Sequence, residues 1–332
     1  MAVTAPERQT TMKAVVRDRY GSSEVLKLDE VEKPELVDDG VLVRVHASSV
    51  NRGDWYFMTG RPWAARPTMG LLRPKSRLIG GDFAGTVEAV GKDVTELQPG
   101  DEVFGGRSGS FAEYVCARMG IARKPANLTF EEAAAVPIAA LTALQGLRDH
   151  GQLQPGQSVL VNGASGGVGT FAVQIAKALG AEVTAVCSTR NVEQARSLGA
   201  DHVIDYSRED FTRSGGRYDL LFDNAGSRSW SACRRVLEPH GTLVLIGAPK
   251  ADPLFGPLRH VARIRLASMR GSQKAVFFIA KFNKPDMAVL RELLEAGKVT
   301  PVVECRYELS EVADALRYMG EGHAQGKIVI TV

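Results

Sequence analysis

The stretch Val159-Leu-Val-Asn-Gly-Ala-Ser-Gly-Gly-Val-Gly169 is the one on which the rest of the chain depends. Val159, Leu160 and Val161 form a short apolar run after the turn pair Pro155-Gly156, which reads as a strand buried on both faces. Behind it, Ala164, Gly166 and Gly169 fit the dinucleotide fingerprint with Ala in place of its first Gly. Gly166 lets the backbone approach a pyrophosphate, and Gly169 lets the next helix pack on the strand. Ser165, Gly167 and Val168 complete the turn. The helix is predicted from about Gly167 to Leu179, closed by Gly180, and its free N–H groups would face the phosphates.

The context that this fingerprint requires continues downstream. Glu182 to Cys187 reads as a second strand and Asn191 to Leu198 as a short helix closed by Gly199. Apolar runs then recur at His202–Ile204, Leu220–Phe222 and Leu243–Ile246. Strands alternating with helices predict a doubly wound parallel sheet. Asn224-Ala-Gly226 and Gly247-Ala248-Pro249 follow strand ends on the face where such sheets bind ligand, and offer backbone contacts to a cofactor. The second strand ends in Cys187-Ser188-Thr189-Arg190, with no acid before Glu193. An NAD site usually places a carboxylate there for the ribose 2′-hydroxyl, and that carboxylate would repel a 2′-phosphate. Ser188 and Thr189 instead offer hydroxyls. Arg190 is either a phosphate ligand or a solvated residue at a helix start. NADPH is therefore the expected cofactor.

A chain of 332 residues favours about two domains. Its net charge of +3 is too small to make nucleic acid a main partner, and no apolar run reaches the roughly 18 residues of a membrane span. The N-terminus lacks the apolar core of a secretory signal, so residues 1 to 11 read as a frayed lead-in and the protein as cytoplasmic. Cys116, Cys187, Cys233 and Cys305 are scattered, without a Cys-x-x-Cys pair, and are expected as reduced thiols. From Met12 to about Phe130 short strand candidates are punctuated by Gly and Pro turns, an all-β pattern. Glu131 to Gly146 reads as helical, broken at Pro137. Helices are predicted over 285–296 and 310–319, and a final strand over 326–330.

Several stretches in this order and spacing carry a resemblance to a known family. They are Ala47-Ser-Ser-Val-Asn-Arg-Gly-Asp54, Gly80-Gly-Asp-Phe-Ala-Gly85, Pro99-Gly-Asp-Glu-Val103, Phe111-Ala-Glu-Tyr114, Gly163 to Gly169 and Gly326-Lys327. Together they resemble the zinc-independent quinone oxidoreductase branch of the medium-chain dehydrogenase/reductases. The resemblance implies an α/β protein with a GroES-like β-barrel catalytic domain and a doubly wound Rossmann domain. The expected division is 1–137 for the first, 138–280 for the second, and 281–332 for a C-terminal return to the catalytic domain, with the cleft between them. The zinc alcohol dehydrogenases of the same family carry a ligating Cys where this chain has Asn51. Their Gly-His-Glu becomes Gly80-Gly81-Asp82, and their four-cysteine lobe is missing. Without the three or four converging ligands that zinc needs, no metal is expected.

Asn51, Asp54 and Tyr56 fall in a segment resembling the family's substrate-facing loop. Asn51 would donate a hydrogen bond to a carbonyl oxygen or a cofactor ribose. Tyr56 offers a donor or an aromatic wall, and Asp54 a site group or a helix cap. Trp55, Phe57 and Trp63 read as core or pocket lining. Thr142 matches a family Thr on the nicotinamide side, or bonds its own helical turn. Tyr206 and Lys327 resemble family positions near the 2′-phosphate. The implied activity is NADPH-dependent reduction of quinones or α,β-unsaturated carbonyl compounds by a homodimer. The alternatives are a 2-enoyl thioester reductase and an NADPH-binding protein with a non-catalytic role. Two basic stretches, Arg61 to Arg77 and Arg259 to Arg270, would suit weak peripheral membrane contact, a solvated face or a subunit contact.

Overall fold

In the computed structural model, which describes residues 10–248, 255, 257–322 and 324–332, the N-terminal third is made of the short strands that its turn residues predict. β1 (Thr11–Arg17) and β2 (Leu26–Glu32) form an antiparallel pair. Thr11 therefore already belongs to a strand, while residues 1–9 of the expected lead-in lie outside the described residues. β3 (Val41–Val50), β4 (Asp82–Val90), β5 (Glu102–Gly106), β6 (Tyr114–Ala117) and β7 (Ile121–Arg123) belong to a seven-stranded sheet completed by two strands from the C-terminus. Alternation along β3 turns Val41, Val43 and Val45 onto Phe83, Val87 and Val103 in one buried cluster. Between β3 and β4 the chain leaves the sheet as α1 (Arg52–Thr59) and α2 (Arg66–Met69). α3 (Phe130–Ala134) starts at a Thr129–Glu132 capping box. α4 (Pro137–Leu144) has its proline in the first turn, where a missing N–H costs no helical bond.

The middle of the chain alternates β8 (Ser158–Asn162), α5 (Gly167–Ala178), β9 (Glu182–Cys187), α6 (Val192–Ser197), β10 (His202–Asp205), β11 (Tyr218–Asp223), α7 (Trp230–Cys233), β12 (Leu237–Leu245), α8 (Pro257–Ser268) and β13 (Lys274–Phe277). The strands form one parallel sheet in the order β10-β9-β8-β11-β12-β13. That is the doubly wound Rossmann order, which reverses between β8 and β11 and opens a ligand crevice there. Val159 and Val161 pack into one hydrophobic cluster and Leu160 into another, so both faces of β8 are covered. This double burial is why β8 reads as a continuous apolar run. A Cβ on Gly169 would stand 2.1 Å from the Gly163 carbonyl oxygen, so α5 approaches the turn more closely than any other residue permits. α8 and β13 fall in a region that the periodicity left unassigned. α8 buries Val261 and Ile264 yet exposes Leu258 and Leu266, which blurs its amphipathic pattern.

α9 (Lys284–Glu295), β14 (Val303–Glu308), α10 (Val312–Glu321) and β15 (Lys327–Thr331) bring the chain back to the first sheet. β15 pairs parallel with β14 and antiparallel with β3. The two sheets are joined beside the cleft by a bridge between Gly166 and Gly326.

Candidate active site

A cleft of about 1450 Å³ runs between the crevice of the parallel sheet and the β-rich domain. The dinucleotide turn forms one end. Gly166 is the N-cap of α5 in extended conformation, with no side chain capping the helix, and Gly166, Gly167 and Val168 border the cleft. Ala164, Ser165 and Gly169 complete the turn behind them and do not line it. Asn224, Gly247 and Ala248, at the ends of β11 and β12, also line the cleft, while Pro249 lies outside the described residues. Asn224 Nδ2 donates to the Gly163 carbonyl at 3.3 Å. Below this turn Asp223 is fully buried and accepts from Asn162 Nδ2 and the Gly226 N–H, each at 2.8 Å.

Beside this turn, where the Lys327 stem lies against Gly167, β3, β4, α1 and β15 place four polar side chains together. Asn51 is the N-cap of α1, and its N–H donates to Asp54 Oδ2 at 2.8 Å. Asp54 thus caps the helix, and it also borders the cleft, so both readings given for it stay compatible with its position. The Asn51 amide is engaged at both ends. Its Nδ2 donates to Asp82 Oδ2 at 2.8 Å, and its Oδ1 accepts from Lys327 Nζ at 2.5 Å. Asp82 Oδ2 also accepts from Ser49 Oγ at 3.0 Å, Asp82 Oδ1 accepts from the Ile138 N–H at 3.0 Å, and Lys327 Nζ stands 3.5 Å from Asp82 Oδ2. Asp82 is 0 % exposed, Lys327 2 % and Asp54 4 %.

Burial sets the electrostatics of this cluster. It pushes the Asp54 carboxyl up to about 7, against the pull of the Asn51 N–H, and the nearby Asp82 charge pushes the same way. It also raises Asp82, opposed by Lys327 and the Asn51 amide, and lowers Lys327, opposed by Asp82 and Asp54. Two acids and one ammonium are buried together, with Arg17 close enough to favour ionised Asp54.

Lys327, which the resemblance set near a 2′-phosphate, bonds Asn51 while its stem lies against Gly167 of the dinucleotide turn. β15 seats its first residue beside Asn51 because the parallel pairing with β14 and antiparallel pairing with β3 fix which way that residue faces. Gln325, two residues earlier, reaches the turn after β9. With the amide oriented to match donors with acceptors, Gln325 accepts from Arg190 Nε and Nη1 at 3.1 and 3.2 Å and donates to Asn191 Oδ1 at 2.5 Å. Ser188 accepts from Asn191 Nδ2 at 3.1 Å. Thr189 Oγ1 donates to Asp205 Oδ2 at 2.6 Å and lies 2.9 Å from Ser207 Oγ. Asp205 is an acid near this end that reading along β9 alone could not detect, since it comes from the neighbouring strand. Bonds from Ser207 and Thr189 hold its carboxyl below the usual range. Tyr206 follows it, with an exposed ring. None of Ser188, Thr189, Arg190 and Tyr206 borders the cleft itself.

Thr142 borders the cleft, yet its hydroxyl donates to the Ile138 carbonyl one turn back at 2.6 Å. Tyr56, Phe57, Phe277, Phe278 and Phe282 also line the cleft. Trp55 packs against α10 through contact with the Gly320 backbone. Trp63, expected in the core or the pocket, is 51 % exposed. Asp82 is the functional candidate for which no role was expected. Its signal was present, an acid inside the otherwise apolar strand start Asp82-Phe-Ala-Gly. Among the described residues no group of three or more His, Cys, Asp or Glu side chains could hold a metal ion, and the four cysteines are unpaired.

The alcohol dehydrogenase GroES-like domain model matches residues 37–142, and the zinc-binding dehydrogenase model matches residues 198–330. The chain is 34 % identical to the mitochondrial NAD(P)H oxidoreductase RTN4IP1 of Mus musculus over 99 % of its own length and 91 % of the relative's. It is 33 % identical to the 2-methylene-furan-3-one reductase of Solanum lycopersicum, covering 96 % and 79 % of the two chains. Among solved structures the quinone oxidoreductase from Coxiella burnetii superposes with a TM-score of 0.84 at 31 % identity, over 97 % of this chain and 99 % of that one. The mouse relative is a mitochondrial protein by name, which overturns the cytoplasmic expectation. The physical reason is that mitochondrial import uses amphipathic, Arg-rich segments, so the lack of an apolar signal core argues only against secretion. Fold, cleft and relatives agree that the chain belongs to the quinone-oxidoreductase-like branch of the medium-chain dehydrogenase/reductase superfamily, a family of NAD(P)H-dependent oxidoreductases.

Proposed function

We propose that the protein is an NADPH-dependent reductase of quinones and α,β-unsaturated carbonyl compounds that works without a bound metal. The observation that carries the reading is the cleft itself, which borders both the uncapped N-terminus of α5 and the buried Lys327–Asn51–Asp82 cluster. The open first turn of α5 fits a pyrophosphate, since its N–H groups have no capping side chain and Gly166 keeps the approach clear. A bound reduced nicotinamide would supply hydride. Arg190, Ser188 and Thr189 are the groups suited to the adenosine end, with Arg190 matched to a 2′-phosphate.

The residues of the cleft suit an acceptor that needs little help. The aromatic lining favours a flat apolar molecule. A quinone or enone delocalises incoming negative charge onto its own oxygen, so a positioned donor is enough to stabilise it. Lys327 is that donor. Its ammonium has three hydrogens, and Asn51 Oδ1 and Asp82 Oδ2 are its two bonded partners. Asn51, with both amide ends engaged, orients the ammonium. Asp54, poised near neutrality and bordering the cleft, is suited to hold or release a proton. The tomato relative's name, that of an enone reductase, and the name of the Coxiella structure support this class of acceptor.

The test is a substrate panel. Purified protein with NADPH is offered quinones, alkenals and cyclic enones, and separately NADP⁺ with primary and secondary alcohols. Reduction of the conjugated acceptors is expected. Fast alcohol oxidation beside negligible quinone or enone reduction would overturn the reading.

A further inference from the structure

The segment between α1 and β4 carries an unusual surface next to the cleft. From Trp55 through Gly81 the sequence contains Arg61, Arg66, Arg73, Lys75 and Arg77 and no acid. Some of these cations are engaged within the protein. Arg66 stacks over Tyr20 and Trp63, and Arg77 pairs with Asp18 and Asp29. Arg61, Arg73 and Lys75 are exposed. Residues 70–74 form a closed tip, because the Lys75 N–H donates to the Met69 carbonyl at 2.9 Å and Tyr20 Oη donates to the Gly70 carbonyl at 2.8 Å. At that tip Leu71 is 65 % and Leu72 85 % exposed.

Two adjacent leucines held in water on a fixed turn, next to cations that form no ion pair among the described residues, match the chemistry of an anionic membrane surface. Apolar side chains enter the acyl boundary while Arg and Lys meet lipid phosphates. The base of the tip also belongs to the cleft, since Thr68, Met69, Lys75 and Ser76 line it.

We propose that the Leu71-Leu72 tip, flanked by Arg61, Arg73 and Lys75, docks the protein on an anionic lipid bilayer and sets the cleft mouth against it. A lipid-dissolved acceptor would then enter directly from the membrane; this second clause rests on the quinone and enone reading above, whereas docking does not.

Two measurements on the full chain separate the claims. The first is co-sedimentation with phosphatidylcholine vesicles, with and without phosphatidylserine. Binding is expected only with phosphatidylserine, weakening as salt rises. Near an anionic surface each cation is worth about a fivefold change in partition, so Arg61→Gln/Arg73→Gln should lower binding roughly tenfold or more. Leu71→Ser/Leu72→Ser should lower it about tenfold by removing insertion. Both variants should keep wild-type turnover of a water-soluble quinone, which also shows that they fold. The second measurement is turnover of a long-tailed quinone embedded in the same vesicles, which should fall in both variants.

Absence of binding to phosphatidylserine vesicles overturns the docking claim, as does equal binding of the variants. A change of oligomeric state in the leucine variant, with vesicle binding intact, identifies the tip as a contact between copies of the chain and overturns it too. Normal docking with no turnover of any quinone or enone leaves the surface standing and removes the proposed function instead.

Discussion

Lys327 Nζ lies 2.5 Å from Asn51 Oδ1, tying the first residue of β15 to the N-cap of α1. The contact makes the C-terminal segment part of the cleft and gives the buried Asp82 its cation at 3.5 Å. In the proposed reaction the two residues would have different tasks, Lys327 donating to the acceptor and Asn51 positioning Lys327.

Replacing the lysine therefore has two separable effects. Lys327→Met leaves Asp82 as a buried, uncompensated acid, which should cost about 3–5 kcal/mol of stability. Adding Asp82→Asn removes that charge and should restore most of the stability. Activity should not return, because loss of a positioned donor lowers kcat by about 10²- to 10³-fold. Denaturant titration and steady-state kinetics on both variants check this. Recovery of kcat in the double variant would show that Lys327 matters only for folding.

Asp54 gives a pH signature. Its carboxyl titrates near 7 in the folded protein against the ordinary 3.8. A folded-state pKa above the unfolded one contributes stability that is fully present below about 4 and is lost as pH rises through about 7. Linkage limits the effect to about 4 kcal/mol. Asp54→Asn keeps an oxygen to accept the Asn51 N–H and removes the titration. The variant should show a flatter fall of stability between pH 4 and 7 than wild type, and greater relative stability above it. Asp82 and Asp223 are also raised by burial and slope the same way in both proteins. The difference between the two curves therefore isolates Asp54. Parallel curves would place the Asp54 carboxyl in the ordinary carboxylate range.

The fold was legible because its main signals are local. β8 reads as a strand through three consecutive apolar residues, and Gly169 marks the point where α5 meets the turn. The site was legible only where one segment supplies it. Asn51, Asp54 and Tyr56 are close in sequence and all border the cleft. Lys327, 276 residues from Asn51, could not be placed beside it from the sequence, because nothing local says which way β15 will face. Asp205 escaped for the same reason, since strand adjacency is a property of the sheet order. The α8 segment was unreadable because its outer face mixes arginine with exposed leucine.

Metal independence follows from the donor set. Asn51 and Gly81 occupy the positions where the zinc enzymes of the family carry Cys and His, and Asn51 is already spent on Asp82 and Lys327. Dialysis against a strong chelator should leave quinone or enone turnover unchanged, with less than stoichiometric zinc by elemental analysis. Stoichiometric zinc whose removal abolishes activity would contradict the proposal.

Cofactor choice is the remaining prediction, and the structure sharpens it. Arg190 sits in the short turn after β9, held by Gln325 from the segment preceding β15. A guanidinium fixed in this way has lost part of its freedom before any phosphate arrives, which favours a bidentate contact. Asp205 bears on the same end with the opposite charge, but its oxygens accept from Thr189 and Ser207. The expectation is that Arg190 outweighs Asp205 and NADPH binds more tightly than NADH. A charge-assisted hydrogen bond is worth about 1.5–3 kcal/mol, so Arg190→Ala should weaken NADPH by about 10- to 100-fold. NADH, which has no 2′-phosphate, should change by no more than a few-fold. Fluorescence titration of both cofactors against both proteins gives the four dissociation constants. Equal affinities in the wild type, or equal losses in the variant, would reduce Arg190 to a structural tie between the β9 turn and the C-terminal segment.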